Sequence, residues 1–228
     1  SDKKINNLTY LSGTNNFELS NGKIISVDSK PYKLNDFKLS KFEILSIQKI
    51  DTDRKIEEIC LSSNDGKLKA PNDLVFSADG TLWFTDSGQA FDFDNMIEHS
   101  RIITLSKERE AKTVLDTGPV YNNGISIDNE NNIWWAETIP LAMCKLVDGQ
   151  RKEMCILPEN HFPDGFVAST DGRIFIATTY GHNITIISPD GKIDGFIELD
   201  EEAIPTNCIF DGSDLIISDF GTGWEKNE

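Results

Sequence analysis

The chain has 228 residues, of which 38% are hydrophobic and 26% charged, a composition that is typical of a folded protein and excludes a disordered one. Its 38 acidic and 22 basic residues give a formal net charge of −16. Such a charge repels phosphate backbones and anionic lipids, so we expect no nucleic-acid or membrane partner, whereas a cation would be attracted. No segment approaches the roughly 20 apolar residues of a membrane span.

The N-terminal sequence SDKKINNLTY has no signal-peptide core. We therefore expect a cytoplasmic protein, with secretion left open if a signal peptide was removed. Four cysteines lack the spacing of a metal finger, and we expect them to be buried thiols: Cys60, Cys144, Cys155 and Cys208.

A motif of about sixteen residues recurs along the chain and predicts repeated strand pairs. The copies read PNDLVFSADGTLWFTD from Pro71, NNGISIDNENNIWWAE from Asn122, PDGFVASTDGRIFIAT from Pro163 and, shortened, TNCIFDGSDLIISD from Thr206. They start 51, 41 and 43 residues apart. This spacing is typical of four-stranded propeller blades, with a solenoid as the main alternative.

Each copy is predicted to form a strand, a tight turn and a second strand. Asp79-Gly80 and Asp171-Gly172 stand where a hairpin needs residues that tolerate positive φ. Residues 101–115, 142–157 and 183–199 each resemble a second hairpin, which completes four strands per repeat. No stretch has a helical period. The sequence therefore predicts one all-β domain over residues 1–228, with the β-propeller as its architecture.

The second letter of each copy is an amide or a carboxylic acid, at Asn72, Asn123, Asp164 and Asn207. Equivalent positions of a radial repeat converge on one axis, where these oxygen atoms would suit a hard cation. The alternative is structural, because Asn and Asp before a strand often hydrogen-bond the local backbone. We favour the structural role for Asn207, and from the repeat alone both interpretations stay open for Asn72, Asn123 and Asp164.

The segments APNDLVFSADGTLWFTDSG, NNGISIDNENNIWWAET and FPDGFVASTDGRIFIATTYG resemble the successive blade motifs of the SMP-30/gluconolactonase/luciferin-regenerating-enzyme-like family. The resemblance implies a six-bladed β-propeller with one divalent cation in the central channel. Calcium is the foremost choice, with magnesium, manganese and zinc as alternatives. The resemblance also implies hydrolysis of sugar lactones or related lactones, and some members of the family hydrolyse organophosphates.

Position by position, the resemblance assigns metal ligation to Asn123 and Asp164, and gives Asp164 the further role of general base. Asn72 matches a residue that contacts the metal in some members and the substrate in others. The remaining ligand of the family is a glutamate on the first blade, usually followed by Gly-Pro. Glu18 is the candidate here, although Leu19-Ser20 follows it.

Two departures from the family bear on function. Ala70 stands where members that hydrolyse sugar lactones have a substrate-binding arginine, so their substrate preference does not carry over. The chain is also short for six blades of about 40–45 residues each, which predicts a degenerate or incomplete blade.

We expect a divalent-metal-dependent hydrolase of lactones or related esters, in which water attacks a carbonyl polarised by the central cation. Its partner would be a small-molecule substrate, and the sequence does not predict an oligomeric state. Two alternatives stay open: a phosphotriesterase-like hydrolase with the same site, and a catalytically silent propeller that binds calcium or a partner protein.

Overall fold

A computed structural model describes residues 17–20, 23–27, 45–51, 55–89 and 95–221, and for residues 17–27 it describes the backbone alone. Within these residues the structure is built from β-strands, with a 3-10 turn at Thr179–Gly181. The predicted all-β class is confirmed. The extreme N-terminal sequence and the side chain of Glu18 lie outside the described part.

The strands form antiparallel sheets in chain order. The first sheet contains β1 (Phe17–Ser20), β2 (Lys23–Val27), β3 (Ile47–Ile50) and β4 (Ile56–Cys60). A short hairpin of β5 (Ser62–Ser63) and β6 (Gly66–Lys67) follows. The second sheet contains β7 (Pro71–Phe76), β8 (Leu82–Asp86), β9 (Ser100–Leu105) and β10 (Ala111–Gly118).

The third sheet contains β11 (Asn122–Ile127), β12 (Ile133–Glu137), β13 (Ala142–Val147) and β14 (Gln150–Ile156). The fourth contains β15 (Pro163–Ala168), β16 (Ile174–Thr178), β17 (Asn183–Ile187) and β18 (Ile193–Glu198). A fifth begins with β19 (Pro205–Asp211) and β20 (Asp214–Asp219). Each predicted hairpin is therefore present.

The first strands of successive sheets lie side by side, because β7 contacts β11, β11 contacts β15, and β15 contacts β19. Sheets that meet through their first strands radiate from a common axis, which is the arrangement of propeller blades. We call the five sheets blades one to five. Among the described residues, blades one to four have four strands each and blade five has two. The count of six blades stays a prediction.

The core lies between the faces of neighbouring blades. Successive side chains of a strand point to opposite faces, so Trp134 and Trp135 of β12 serve different interfaces. Trp134 packs with Phe166 and Ile176 of blade four. Trp135 packs in a cluster that contains Ile102 of blade two. All four cysteines are free thiols and buried, as expected from the sequence.

A repeated hydroxyl contact also joins the blades at one end. The residue after the second strand of a blade donates a hydrogen bond to the carbonyl oxygen that opens the next blade's first strand. The three pairs are Ser87 Oγ to Asn122 O at 2.7 Å, Thr138 Oγ1 to Pro163 O at 2.9 Å, and Thr179 Oγ1 to Pro205 O at 3.3 Å. These contacts fix neighbouring first strands at the level where the candidate site lies.

Candidate functional site

Each candidate residue on blades two to four lies in a β-bulge of a first strand. In blade two, Pro71 is opposite Asp86 and Leu74 is opposite Phe84, so the first strand has one residue more than its neighbour. The same offset occurs at Asn123 between Asn122 and Ile125, and at Asp164 between Pro163 and Phe166. A bulge breaks the regular alternation and redirects a side chain, and bulges are common beside active sites.

The structure brings Asn123 and Asp164 together across two blades. Asn123 Nδ2 donates a hydrogen bond of 3.1 Å to Thr138 Oγ1, and Thr138 in turn donates to Pro163 O on blade four. The Asn123 side chain also hydrogen-bonds the carboxylate of Asp164. Thr138 thus holds the Asn123 amide of blade three close to Asp164 of blade four. Sequence reasoning did not identify Thr138.

Asp73 is a second acid near the site. Its Oδ1 accepts a hydrogen bond from Leu74 N at 2.8 Å, and its Oδ2 accepts one from Ile125 N of blade three at 2.9 Å. Asp164 lies deep in the molecule but keeps intermediate solvent accessibility. Burial, and secondly the charge of Asp73, raise the pKa of Asp164 to about 8.

Asn72 is buried beside Tyr121, another residue that sequence reasoning missed. The Tyr121 hydroxyl hydrogen-bonds the side chains of Asn72 and Ser87, and burial followed by the nearby charge of Asp164 raises the pKa of the phenol. Tyr121 therefore stays protonated at neutral pH. It has a φ of 56°, a left-handed conformation that is uncommon for a bulky residue and is often found at functional sites.

The alignment of the last copy from Thr206 is wrong by one residue. Pro205 is opposite Asp219 and Asn207 is opposite Ser218, so the bulged residue of blade five is Thr206. Asn207 Oδ1 accepts a hydrogen bond from the backbone N–H of Cys208 at 2.8 Å. The structural role that we favoured for Asn207 is the one observed, and Thr206 occupies the column of Asp164.

The residue after the bulge position forms a second set of equivalent positions, or column, at which first strands approach closely. Its members are Asp73, Gly124, Gly165 and Asn207. A Cβ atom added to Gly124 would lie 2.3 Å from the carbonyl oxygen of Asp164, and one added to Gly165 would lie 2.2 Å from Cγ of Asn207. Glycine is required where backbones pack this closely. Asp73 could have been identified from the sequence, because it is an acid at a repeat position that is glycine in the next two copies.

The donor atoms fit a hard cation. Asn72, Asn123 and Asp164 offer oxygen atoms without sulfur or imidazole, the ligand set that calcium prefers. No described lysine or arginine forms an ion pair with Asp164, and a cation would compensate its buried charge. In the part of the chain that the structure describes, no three His, Cys, Asp or Glu side chains are grouped as a metal site, which leaves amides and Glu18 to complete one.

The comparisons with known proteins agree with this architecture. The family model described as the SMP-30/gluconolactonase/LRE-like region matches residues 38–218. The chain belongs to this family. No match is found among curated proteins. Across the described residues there is also no helix of the length and hydrophobicity needed to cross a bilayer.

Solved structures of similar fold include a gluconolactonase from Xanthomonas campestris, with 22% identity, a TM-score of 0.63 and coverage of 76% of this chain and 62% of that one. A calcium-binding regucalcin from Agrobacterium tumefaciens has 14% identity, a TM-score of 0.66 and coverage of 89% and 66%. A streptogramin B lyase has 18% identity, a TM-score of 0.65 and coverage of 91% and 62%. The likeness shows the propeller fold, and the chain spans 62% of the length of the gluconolactonase.

Proposed function

We propose that this protein is a divalent-cation-dependent hydrolase of lactones or related esters. The observation that carries the proposal is the carboxyl group of Asp164, which is hydrogen-bonded by Asn123 and has a pKa raised to about 8. A perturbed acid among convergent amides, deep between blades, has the character of a reactive centre. Membership in the SMP-30/gluconolactonase/LRE-like family supports the choice of reaction.

Asn123 and Asp164 would hold the cation through side-chain oxygens. Glu18 would add a second carboxylate, and Asn72 would contact either the cation or the substrate. We propose calcium first, because the donors are oxygen atoms alone, with magnesium, manganese and zinc as alternatives. When bound, the cation supplies positive charge that stabilises the oxyanion of the reacting carbonyl and favours the ionised form of Asp164.

The residues of the chain then direct the proton. In lactone hydrolysis the oxygen of water bonds to the carbonyl carbon, and the ring bond between that carbon and its ester oxygen breaks. Asp164 accepts the proton that water loses and returns it to the departing oxygen, so that acid and alcohol are the products. Asn123 orients Asp164 through their hydrogen bond, which is supported in turn by the contact of Asn123 with Thr138.

The test combines calcium titration by calorimetry with a hydrolysis screen of lactones, aryl esters and phosphotriesters on the same metal-free preparation. We expect the wild-type protein to bind calcium and to recover turnover of lactones or esters when calcium is added. We expect Asp164→Asn to show neither calcium binding nor calcium-dependent turnover. Asp171→Asn is the matched control, because Asp171 is an exposed turn residue. Turnover that survives in Asp164→Asn would reject the mechanism. Calcium binding with no turnover in any class would establish the silent propeller instead.

A further inference from the structure

The end of the blades that carries the bulges has a partly apolar and aromatic rim. Residues just before a first strand, or just after a second strand, lie at the same end of a blade as the bulges, because Pro163 pairs with Thr178. Apolar residues occupy many of these positions. They are Ala70, Ile139, Phe162, Tyr180, Ile204 and Phe220.

Phe162 and Tyr180 are the best-defined part of this rim. Their rings meet edge to face, with centroids 5.7 Å apart and an interplanar angle of 84°. The backbone N–H of Thr179 donates a hydrogen bond of 3.0 Å to Phe162 O, which joins the two loops that carry the rings. Phe162 precedes Asp164 by two residues, so their α-carbons lie about 7 Å apart along an extended chain. The pair is therefore within the length of a small substrate.

Tyr180 is 56% exposed although its backbone is firmly held. Its 3-10 turn is fixed on one side by the Thr179 contact with Phe162 and on the other by the hydroxyl bond from Thr179 to Pro205 O. An exposed aromatic ring on a rigid support loses little conformational entropy on binding, which is the property of a recognition residue.

We propose that Phe162 and Tyr180 form the substrate-recognition wall of the Asp164 site, and that the preferred substrates are lactones or esters with an aromatic or other apolar group beside the reacting carbonyl. This inference rests on the proposed hydrolase function. It distinguishes such substrates from polyhydroxylated sugar lactones, whose hydroxyl groups each need a hydrogen-bond partner when water is removed.

The absence of arginine at Ala70 agrees with this assignment. A methyl side chain at this rim position offers no donor for a sugar hydroxyl, and it occupies less space than an arginine side chain would. Ile139 and Ile204, which lie at the same end of the blades, likewise add no hydrogen-bonding side chain. Burial of an aromatic ring against these surfaces is favourable in proportion to the apolar area removed from water.

The experiment measures kcat/KM of the calcium-loaded protein for dihydrocoumarin, glucono-δ-lactone and γ-butyrolactone. The first has a fused aromatic ring, the second has hydroxyl groups, and the third has neither. We expect dihydrocoumarin to be the best substrate. Tyr180→Ala and Phe162→Ala should each reduce its kcat/KM by about tenfold or more, and change that of γ-butyrolactone by less than about threefold. Tyr180→Phe, which keeps the ring, should retain activity.

Ile156→Ala is the matched control, because Ile156 is 50% exposed on the outermost strand of blade three. A preference for glucono-δ-lactone, or an equal loss for all three substrates in Tyr180→Ala, would overturn the inference while leaving the hydrolase function intact.

Binding of the ring-opened product of dihydrocoumarin, followed by calorimetry, separates the two proposals. If no lactone or ester is hydrolysed, the proposed function fails. Product binding that is weakened in Tyr180→Ala and kept in Tyr180→Phe would then still support the recognition wall, and unchanged binding in Tyr180→Ala would overturn it as well.

Discussion

The carboxylate of Asp73 on blade two accepts a hydrogen bond of 2.9 Å from the backbone N–H of Ile125 on blade three. The negative charge of the same residue contributes to the raised pKa of Asp164 on blade four. The Asp73 side chain therefore links the contact between blades two and three with the protonation of Asp164 on blade four. The candidate site therefore depends on contacts between blades.

Asp164→Asn should stabilise the metal-free protein and abolish stabilisation by calcium. The folded pKa of about 8 lies above the ordinary value of 3.8, so the wild type loses stability as pH rises from about 4 to about 8. Asparagine has no such charge. At pH 8 in EDTA we expect a melting temperature at least about 2 °C higher, the shift that corresponds to about 1 kcal/mol for a chain of this size.

The advantage of Asp164→Asn should shrink as the pH falls towards 4, where the wild-type carboxyl is protonated in the folded state and about half protonated in the unfolded state. Thermal melts over pH 4–9 measure how the stability difference between variant and wild type depends on pH. The same melts with and without calcium measure the stabilisation by calcium. A variant that is less stable than the wild type at pH 8 without metal would contradict the raised pKa. The exposed Asp171→Asn should keep the calcium effect.

Gly124→Ala should separate blades three and four at the site. The added methyl group would lie 2.3 Å from the carbonyl oxygen of Asp164, and this backbone atom cannot yield as a flexible side chain would. We expect a loss of about 1–3 kcal/mol in unfolding free energy and a weaker affinity for calcium. Gly195→Ala is the matched control, because a Cβ atom there meets nothing within 4 Å. Equal effects of the two changes would refute the close-approach argument.

Tyr121→Phe should reduce turnover more than calcium affinity. The change removes a hydroxyl that hydrogen-bonds Asn72 and Ser87 but keeps the ring. We expect a loss of about 1 kcal/mol in stability and about a tenfold fall in kcat/KM, because the Asn72 side chain loses the contact that orients it. Steady-state kinetics and calorimetry on one preparation measure this. A parallel fall in calcium affinity would instead identify Asn72 as a ligand.

Arg101→Ala should be far more destabilising than Arg173→Ala. Arg101 forms an ion pair with Asp86, and the two side chains are 6% and 0% exposed. Removal of the cation leaves a buried carboxylate uncompensated, which typically costs about 3–5 kcal/mol, or roughly 10 °C in melting temperature here. The Arg173 and Asp171 side chains are 40% and 54% exposed, and such pairs contribute about 0–1 kcal/mol. Chemical denaturation of both variants measures the loss of unfolding free energy. Similar losses in the two variants would show that burial of the ion pair does not determine the loss.

Much of the fold could be predicted from the sequence because the informative residues act locally. Asp79-Gly80 and Asp171-Gly172 specify tight turns through their own conformational preferences, with φ values of 83° at Gly80 and 86° at Gly172. The alternation of apolar residues around them then specifies which strand faces pack. Neither property requires knowledge of a neighbouring blade.

The site was less predictable because its residues act across blades. Asn123 and Asp164 were found from their position in a repeat, but the contacts of Thr138 and Tyr121 depend on which strands meet in space. The last copy shows the limit most clearly. Without Pro205 in the alignment, Asn207 fell in the wrong column, and only the pairing of Asn207 with Ser218 places it correctly.

The hydroxyl bonds from Ser87, Thr138 and Thr179 to the next blade have a consequence for assembly. They lie at the same end of the blades as the bulged residues, so the spacing between candidate residues of different blades depends on contacts between sheets and not on any single sheet. An isolated blade would contribute one candidate oxygen ligand, which by itself does not form a binding site. If the candidate residues bind calcium as proposed, calcium affinity should report on the contacts between blades, and a variant with weakened contacts should bind calcium less tightly before its strands begin to unfold.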